Sequence, residues 1–532
     1  MALPTTKISA GVGPALLAVL MGLILATSAA RGQPCAAQGL GLSVTGERLG
    51  DPWSIELLGP PGATGLLGLD LAPGPVATPF GALCLGLSPA VLLLPVGLDG
   101  LGALAIGGVL PADPGLGGLT LFFQAAVADT SQPGGIALSN GVETGLLPPR
   151  WFLLDPGIAS PVGITPGSIA SFDALSDVAG FAATLPNAAR SLARVPATRL
   201  LAVLMLDGSI IAIDDETGAT VATLAAPPGP GLPSRIAVTE DGSGIILLYT
   251  GTPPSPFSPG APGALVFIDL PSGSVLSSLS LASGNPTEMM LIPGTGFVYL
   301  RAGSDLIPFD YVTGTQLNPI ALGSTNGGVV DWLLQGSLLV TLLGGVPPNP
   351  FGGTGTPAAI HAADVSNHTA ALGAPVPLGQ SGATTLRFGP GPAGPAYYVV
   401  FPATGSIARL LPGLFTTAAT VSATVGTALL ELSAGGSEWL LVRPGGASPF
   451  TTATAGVLLR MDPATSTLTT LATLPTEAQQ LLLPLPSGTL RKAHLISGTA
   501  SMLTIATDPA IAPGPAVSLP ITSAAFQVIG DW

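Results

Sequence analysis

The chain has 532 residues, 47% of them apolar and only 8% charged, with 73 Gly and 56 Pro, a composition of many short strands and turns rather than helices. A net charge of -14 and just two lysines, Lys7 and Lys492, leave no basic surface to displace counterions from nucleic acid or to dock on anionic lipid. The length is ample for two cores, and the solvated surface has to be built from Ser, Thr, Gly, Pro and backbone.

At the N-terminus, Lys7 precedes the apolar run Ala15 to Leu25, and Thr27-Ser28-Ala29-Ala30 puts small residues where a signal peptidase reads. This predicts a signal peptide over residues 1–30, cleaved after Ala30, and an exported protein that is secreted, periplasmic or at the cell surface. Gly32 and Pro34 before Cys35 do not fit a lipoprotein signal. The apolar tract Ala90 to Leu110 approaches membrane-spanning length, but Pro95, Asp99 and five glycines make it two buried strands instead. No membrane-spanning segment is expected.

Cys35 and Cys84 are the only cysteines, and in an exported chain an even pair predicts a disulfide. A loop of about 50 residues closed in this way adds roughly 4 kcal/mol on the chain-entropy estimate. Residues 35–147 carry strand-like runs at Trp53 to Leu58, Leu66 to Leu69, Ala82 to Leu87, Leu119 to Val127 and Ile136 to Leu138, separated by Gly/Pro turns. They predict a compact β-sandwich, and Pro148-Pro149 marks its junction with the rest.

From residue 150 to 532 the chain repeats. Ser160-Pro161-Val162, Ser255-Pro256-Phe257, Asn349-Pro350-Phe351 and Ser448-Pro449-Phe450 recur at about 95 residues, each ahead of an apolar strand that ends near an aspartate. Shorter units built on Asp207-Gly208-Ser209, Gly303-Ser304 and Gly405-Ser406 lie between them, so each fourth is two sheet-like blades and the whole is eight. Ile236 to Val238, Ile245 to Tyr249, Leu265 to Ile268 and Val275 to Leu279 give the four strands of one complete blade. Turns after third strands hold Asp214 with Thr217-Gly218, Asp269 with Ser272-Gly273 and Asp310 with Thr313-Gly314, while Leu411-Pro412-Gly413 breaks that pattern.

A blade has two apolar faces and can bury them only against neighbours, which requires a closed ring. The first blade has Trp151 to Leu154, Ser168 to Phe172 and Gly180 to Thr184 but no innermost strand, and Ala524 to Ile529 is an unassigned strand at the far end. The C-terminal strand is therefore expected to complete the first blade and hide its edge. A seven-bladed ring with residues 150–186 as linker stays open. The fold class is thus all-β, an N-terminal β-sandwich followed by an eight-bladed ring.

Segments such as Leu206-Asp207-Gly208-Ser209-Ile210-Ile211-Ala212-Ile213-Asp214-Asp215-Glu216-Thr217-Gly218 resemble the blades of quinoprotein-like and YVTN-type β-propellers. That resemblance spans roughly residues 150–532 and implies a propeller, in families that include exported scaffolds, surface-layer proteins, lactonase-like enzymes and pyrroloquinoline-quinone dehydrogenases. The blade tails Ala219 to Leu224 and Ser274 to Leu279 lack the tryptophan of the quinone enzymes, and their adjacent cysteine pair is missing. Leu119 to Asp129 followed by Gly135 to Gly141 resembles a module of secreted proteins from planctomycete-like bacteria, to which no activity is tied.

Reactive side chains are scarce. His361, His368 and His494 have no metal-ligand spacing, no Gly-x-Ser-x-Gly elbow occurs, and no Gly-Lys-Ser/Thr follows the Gly-rich tracts. No cofactor is expected, calcium at Asp214-Asp215-Glu216 being the one ion the sequence offers, against a reading of that stretch as a solvated turn. Arg235, Glu288, Asp331, Arg387 and Glu431 fall on or beside innermost strands and are the candidate ligand residues of a central channel. Phe257, Phe351 and Phe450 recur in the long loops, as an apolar rim for a partner or as plugs between blades. The sequence reads as an exported, non-catalytic binding or surface-associated protein whose partner is a protein or cell-envelope component. The alternative is a metal- or quinone-dependent propeller enzyme, lactonase-like or quinoprotein dehydrogenase-like, with its site at the central channel.

Overall fold

The computed structural model describes residues 39–530, apart from short stretches of which 174–178, 253–259, 349–353, 433–438, 483–491, 507–511 and 519–526 are the longest; side chains are described, with gaps, as far as residue 474. Residues 1–30 and Cys35 lie outside the described residues. The protein is all-β: its elements are antiparallel strands, and among the described residues there is no helix. None is therefore long and apolar enough to cross a membrane.

In the N-terminal unit, a three-stranded sheet (Gly41–Thr45, Pro52–Leu58, Ala103–Val109) shares an apolar core with a five-stranded sheet built on Thr64–Asp70, Leu92–Gly97 and Thr120–Ala128. Leu42, Ile55 and Leu57 of one meet Leu67, Phe123 and Val127 of the other. Cys84 is buried beside this core, and its amide donates to Gln124 Oε1 at 2.7 Å. The tract expected to form two buried strands does form two strands, Leu92–Gly97 and Ala103–Val109, but the first is the edge of its sheet. Leu92, Leu93 and Leu94 are consequently exposed, because an edge strand lacks a neighbour to cover it.

The repeat region contains, among the described residues, eight sheets each built on four consecutive antiparallel neighbours. The third, Pro233–Val238, Gly244–Tyr249, Ala264–Asp269 and Val275–Ser280, matches the blade read from the sequence to within a few residues. The sheets alternate: the connection between second and third strands is long in the first, third, fifth and seventh, and short in those between. This is the two-blade repeat that the Pro-containing tripeptides announced.

The hydrophobic core follows from the strand period of two. Ile245 and Leu247 face Ala202 and Leu204 of the second sheet, whereas Ile246 and Leu248 face Val298 and Leu300 of the fourth. Tyr397 and Val399 likewise meet Val340 and Ile360 of the fifth sheet, and Tyr398 and Val400 meet Trp439 and Leu441 of the seventh. Each strand thus feeds two cores, and each fully buried Leu, Ile or Val contributes about 1.5–3 kcal/mol relative to exposure. A lone sheet would leave both of these surfaces in water.

The expected terminal pairing is present. Trp151–Leu154 pairs antiparallel with residues 527–530, Phe152 opposite Ile529 and Leu153 opposite Val528, so the first sheet has the order Ala179–Thr184, Ser168–Asp173, Arg150–Asp155, Gln527–Gly530. The described part of the C-terminal strand is Gln527–Gly530, and the start expected at Ala524 lies outside the described residues.

The third-strand turns obey one geometry. Asp214 Oδ1 accepts from the amides of Glu216 and Thr217 and from the Thr217 hydroxyl, and the amide of Gly218, at φ 71°, donates to the Asp214 carbonyl. Asp269, Asp310, Asp364 and Asp462 hold equivalent turns. The pattern expected to fail at Leu411 fails only in its carboxylate: the Phe415 amide still donates to the Leu411 carbonyl at 2.9 Å, and Phe415 takes the left-handed position at φ 52°. His368 and Ser466 occupy the same position at φ 56° and 59°.

Candidate functional site

The five charged residues chosen from the sequence fall on the first strands of successive sheets, from Pro233–Val238 to Leu429–Leu432. These first strands lie beside one another from sheet to sheet, Pro233–Val238 between Ala189–Val195 and Glu288–Ile292, and Thr385–Gly389 between Val329–Gln335 and Leu429–Leu432. Register shifts between Pro233 and Arg235 and between Val329 and Asp331 mark bulges in two of these strands, a device that re-aims the residue that follows.

Two of the five come together. Asp331 Oδ2 accepts from Arg387 Nη1 at 2.9 Å and from the Leu386 amide at 2.8 Å, and its Oδ1 accepts from the Trp332 amide at 2.9 Å. Glu288 is instead paired with Arg301, directly opposite on the next strand, at 3.1 Å. Arg235 is exposed and donates to the carbonyl of its own neighbour Ser234. The side chain of Glu431 and all of Phe257, Phe351 and Phe450 lie outside the described residues. Glu288 and Asp331 are thus engaged by arginines of their own and an adjacent sheet, and among the described residues no group of three or more His, Cys, Asp or Glu could hold a metal ion.

The acidic stretch Asp214-Asp215-Glu216 is not a solvated turn throughout. Asp215 is completely buried and lies 3.1 Å from Arg48 Nη2 and 3.5 Å from Arg194 Nε. Glu216 meets Arg150 Nη2 at 2.7 Å and Arg48 Nη2 at 3.6 Å, and Arg199 pairs with Glu47. Four of the chain's 15 basic residues thus gather with three carboxylates where the N-terminal unit meets the first two repeat sheets. Burial pushes the Asp215 carboxyl above its ordinary range, against the opposing pull of Arg48, Arg194 and Arg150. Two of the three carboxylates of this stretch, Asp215 and Glu216, are thus engaged by arginines. Sequence reasoning missed the cluster because its members lie far apart in the chain, Arg48 and Asp215 by 167 residues, although Arg190, Arg194 and Arg199 stand close together in so uncharged a chain.

The histidines do structural work. His361 sits on Ala359–Asp364, buried, and among the described residues its Nδ1 has no hydrogen-bond partner. Burial holds its pKa below the usual value, with a backbone hydrogen bond at Leu372 acting the other way. His368, in the following turn, packs its ring tilted against Phe297 at 3.9 Å between centroids and shares a 2.8 Å hydrogen bond between its Nδ1 and the hydroxyl of Tyr299, both in the preceding sheet. That packing offsets the cost of a left-handed backbone in a non-glycine residue. Phe415 uses the same slot to bury its ring against Tyr397, 5.1 Å away. Where the slot holds Gly218, a Cβ would come within 2.5 Å of Phe181 of the preceding sheet, which fills the space from the other side. The slot is a plug position between sheets, and His494 has its backbone on Lys492–Ser497 with its side chain outside the described residues.

No protein-family model matches the chain, and no curated protein matches it. Among solved structures it resembles β-propeller proteins: Kuenenia stuttgartiensis hydrazine synthase, with 12% identity over 58% of this chain and 90% of that one at a TM-score of 0.37, and BamB of Moraxella catarrhalis, with 15% identity over 52% and 75% at 0.32. The dihydro-heme d1 dehydrogenase NirN aligns at 13% identity over 62% and 73%, TM-score 0.35. Likenesses this distant say nothing about chemistry, and the fold description rests on the strand pairing above.

Two outcomes follow from the buried groups. Replacing Arg48 by Met strands part of the Asp215 charge in the interior and is expected to destabilise the protein by about 3 kcal/mol, whereas adding Asp215→Leu to it restores much of that loss; urea unfolding of the single and double variants measures both. His361 has a folded pKa below its unfolded value of 6.5, so its contribution is full above that pH and is lost as pH falls through 6.5 toward the folded pKa. Urea unfolding between about pH 7.5 and 5 should show a shallower acid limb for His361→Leu than for the wild type, by up to about 1.4 kcal/mol per pH unit.

Proposed function

We propose that this chain is an exported, non-catalytic binding or surface-associated interaction protein, built as an eight-bladed β-propeller with an accessory β-sandwich. On this reading residues 1–30 are a signal peptide, 35–147 the sandwich stapled by Cys35 and Cys84, and 150–532 the propeller, closed by its C-terminal strand. The eight four-strand sheets, their shared cores and the pairing of Trp151–Leu154 with residues 527–530 support the architecture. The partner is a protein or a component of the cell envelope, met by the long connections between second and third strands, which the alternation of the sheets gathers at one end of every other blade.

One observation carries the non-catalytic reading: two of the three candidate carboxylates on the first strands, Asp331 and Glu288, are paired with arginines. A metal- or quinone-dependent enzyme of the lactonase-like or quinoprotein kind would need Asp331 and Glu288 available to a metal or cofactor, and they are held by Arg387 and Arg301. Rim-exposed pairs of this type add little stability, so their effect is on what the axis can bind. Native mass spectrometry of the mature protein, purified without chelators, is expected to give the bare polypeptide mass less two protons for the disulfide. A stoichiometric excess matching calcium or a quinone, abolished by Glu288→Ala with Asp331→Ala, would make the axis a cofactor site and overturn the reading.

A further inference from the structure

A cleft of about 690 Å³ opens between the third and fourth repeat sheets. Glu240 and Asp241, in the turn after Pro233–Val238, form one side; Leu276 and Ser277 of the outermost strand of that sheet form another; Tyr311 and Val312, in the third-strand turn of the fourth sheet, face them. Its volume lies in the range of small-ligand sites.

Tyr311 separates this cleft from an ordinary gap between sheets. The chain has five tyrosines. Four spend their hydroxyls inside the protein: Tyr249 on the Pro227 carbonyl, Tyr299 on His368, Tyr397 on Gln335 and Tyr398 on the Pro390 carbonyl. Tyr311 is the fifth, half-buried in the cleft wall, and among the described residues its hydroxyl has no hydrogen-bond partner. The phenol is kept protonated, since burial first and then the charges of Glu240, Asp241 and Asp310 raise its pKa. It can both donate and accept.

The flanking carboxylates are fixed as acceptors. Both oxygens of Glu240 lie 2.8 Å from the Gly294 amide, and Asp241 is held by the hydroxyls of Thr239 and Ser243 and the amide of Ser243. Leu276 and Val312, 66% and 75% exposed, add apolar surface on opposite walls. No Lys, Arg or His lines the cleft.

These features select a ligand. An anion meets two carboxylates and no cation. A purely apolar molecule would cover the Tyr311 hydroxyl and leave it unsatisfied. Two carboxylates fall short of the six to eight oxygens a calcium ion takes. A neutral polyhydroxylated molecule satisfies every wall at once: its C–H faces cover Leu276, Val312 and the Tyr311 ring, its hydroxyls donate to Glu240 and Asp241, and one accepts from the Tyr311 hydroxyl. We infer that the cleft between the third and fourth sheets is a binding site for a short neutral saccharide, separate from the axis and independent of how the axis is read.

The test is saturation-transfer NMR of the full mature chain with maltotriose, cellotriose and chitotriose at millimolar concentration, repeated on Tyr311→Phe. Because the lost hydroxyl has no internal partner, Tyr311→Phe should keep the wild-type unfolding midpoint, and Thr420→Ala, exposed on Thr417–Ser422 of the sixth sheet, serves as a control remote from the cleft. The expected result is saturable binding of at least one trisaccharide, weakened about tenfold by Tyr311→Phe and unchanged by Thr420→Ala. Binding of none of the three, or binding indifferent to Tyr311→Phe, overturns the inference. So does preferential binding of n-butylammonium in the same cleft, which would assign it to cations.

Discussion

The pairing of Trp151–Leu154 with residues 527–530 is the contact on which the rest of the repeat region depends. Every sheet from the second to the sixth sends alternate residues of one strand into two different cores, so none can satisfy its apolar surface alone. In a linear array the first and last sheets would each keep one such face in water, together with an unpaired strand edge open to other chains. Joining the two ends of the chain within one sheet removes both liabilities. It also ties the stability of the first sheet to a strand nearly 400 residues away, an ordering cost that local contacts cannot offset until the array is complete.

With so few charges available, their placement is informative. Among the described residues the largest gathering, around Asp215, lies where the N-terminal unit meets the first two sheets. A buried ion cluster is a poor source of net stability, because desolvation consumes most of the Coulomb gain. Its geometry is nonetheless demanding, since removing one member leaves another charged and buried. The cluster therefore serves orientation: it fixes how the N-terminal unit sits on the repeat sheets. Near the innermost strands the pairs Asp331 with Arg387 and Glu288 with Arg301 are more exposed, and their effect is to leave little uncompensated charge for a ligand.

What could be read from the sequence was whatever repeats or alternates. The third sheet was legible strand by strand because apolar runs, turn glycines and a terminal aspartate recur in order, and the closing strand was legible because the first sheet was one strand short. The exposure of Leu92 to Leu94 was not, because an apolar run looks the same at the edge of a sheet as at its centre. Nor was the turn at Leu411: its backbone geometry survives without the aspartate, as Phe415 repays the left-handed conformation through packing that no local pattern reveals. Of the candidate site, the position of the charged residues on first strands could be read from the sequence, but their partners could not. Arg301 and the Asp215 cluster are contacts across strands and units, and a single sequence carries no signal of who faces whom.

Hydrogen-exchange mass spectrometry on the intact mature protein tests the closing pairing most directly. Peptides containing residues 151–154 and 527–530 should show matching protection, comparable to that of the buried strand Gly244–Tyr249, and should lose it together as denaturant is raised. Rapid exchange of 527–530 while 151–154 stays protected would contradict the account, since the first sheet would then be stable without the strand that is held to complete it.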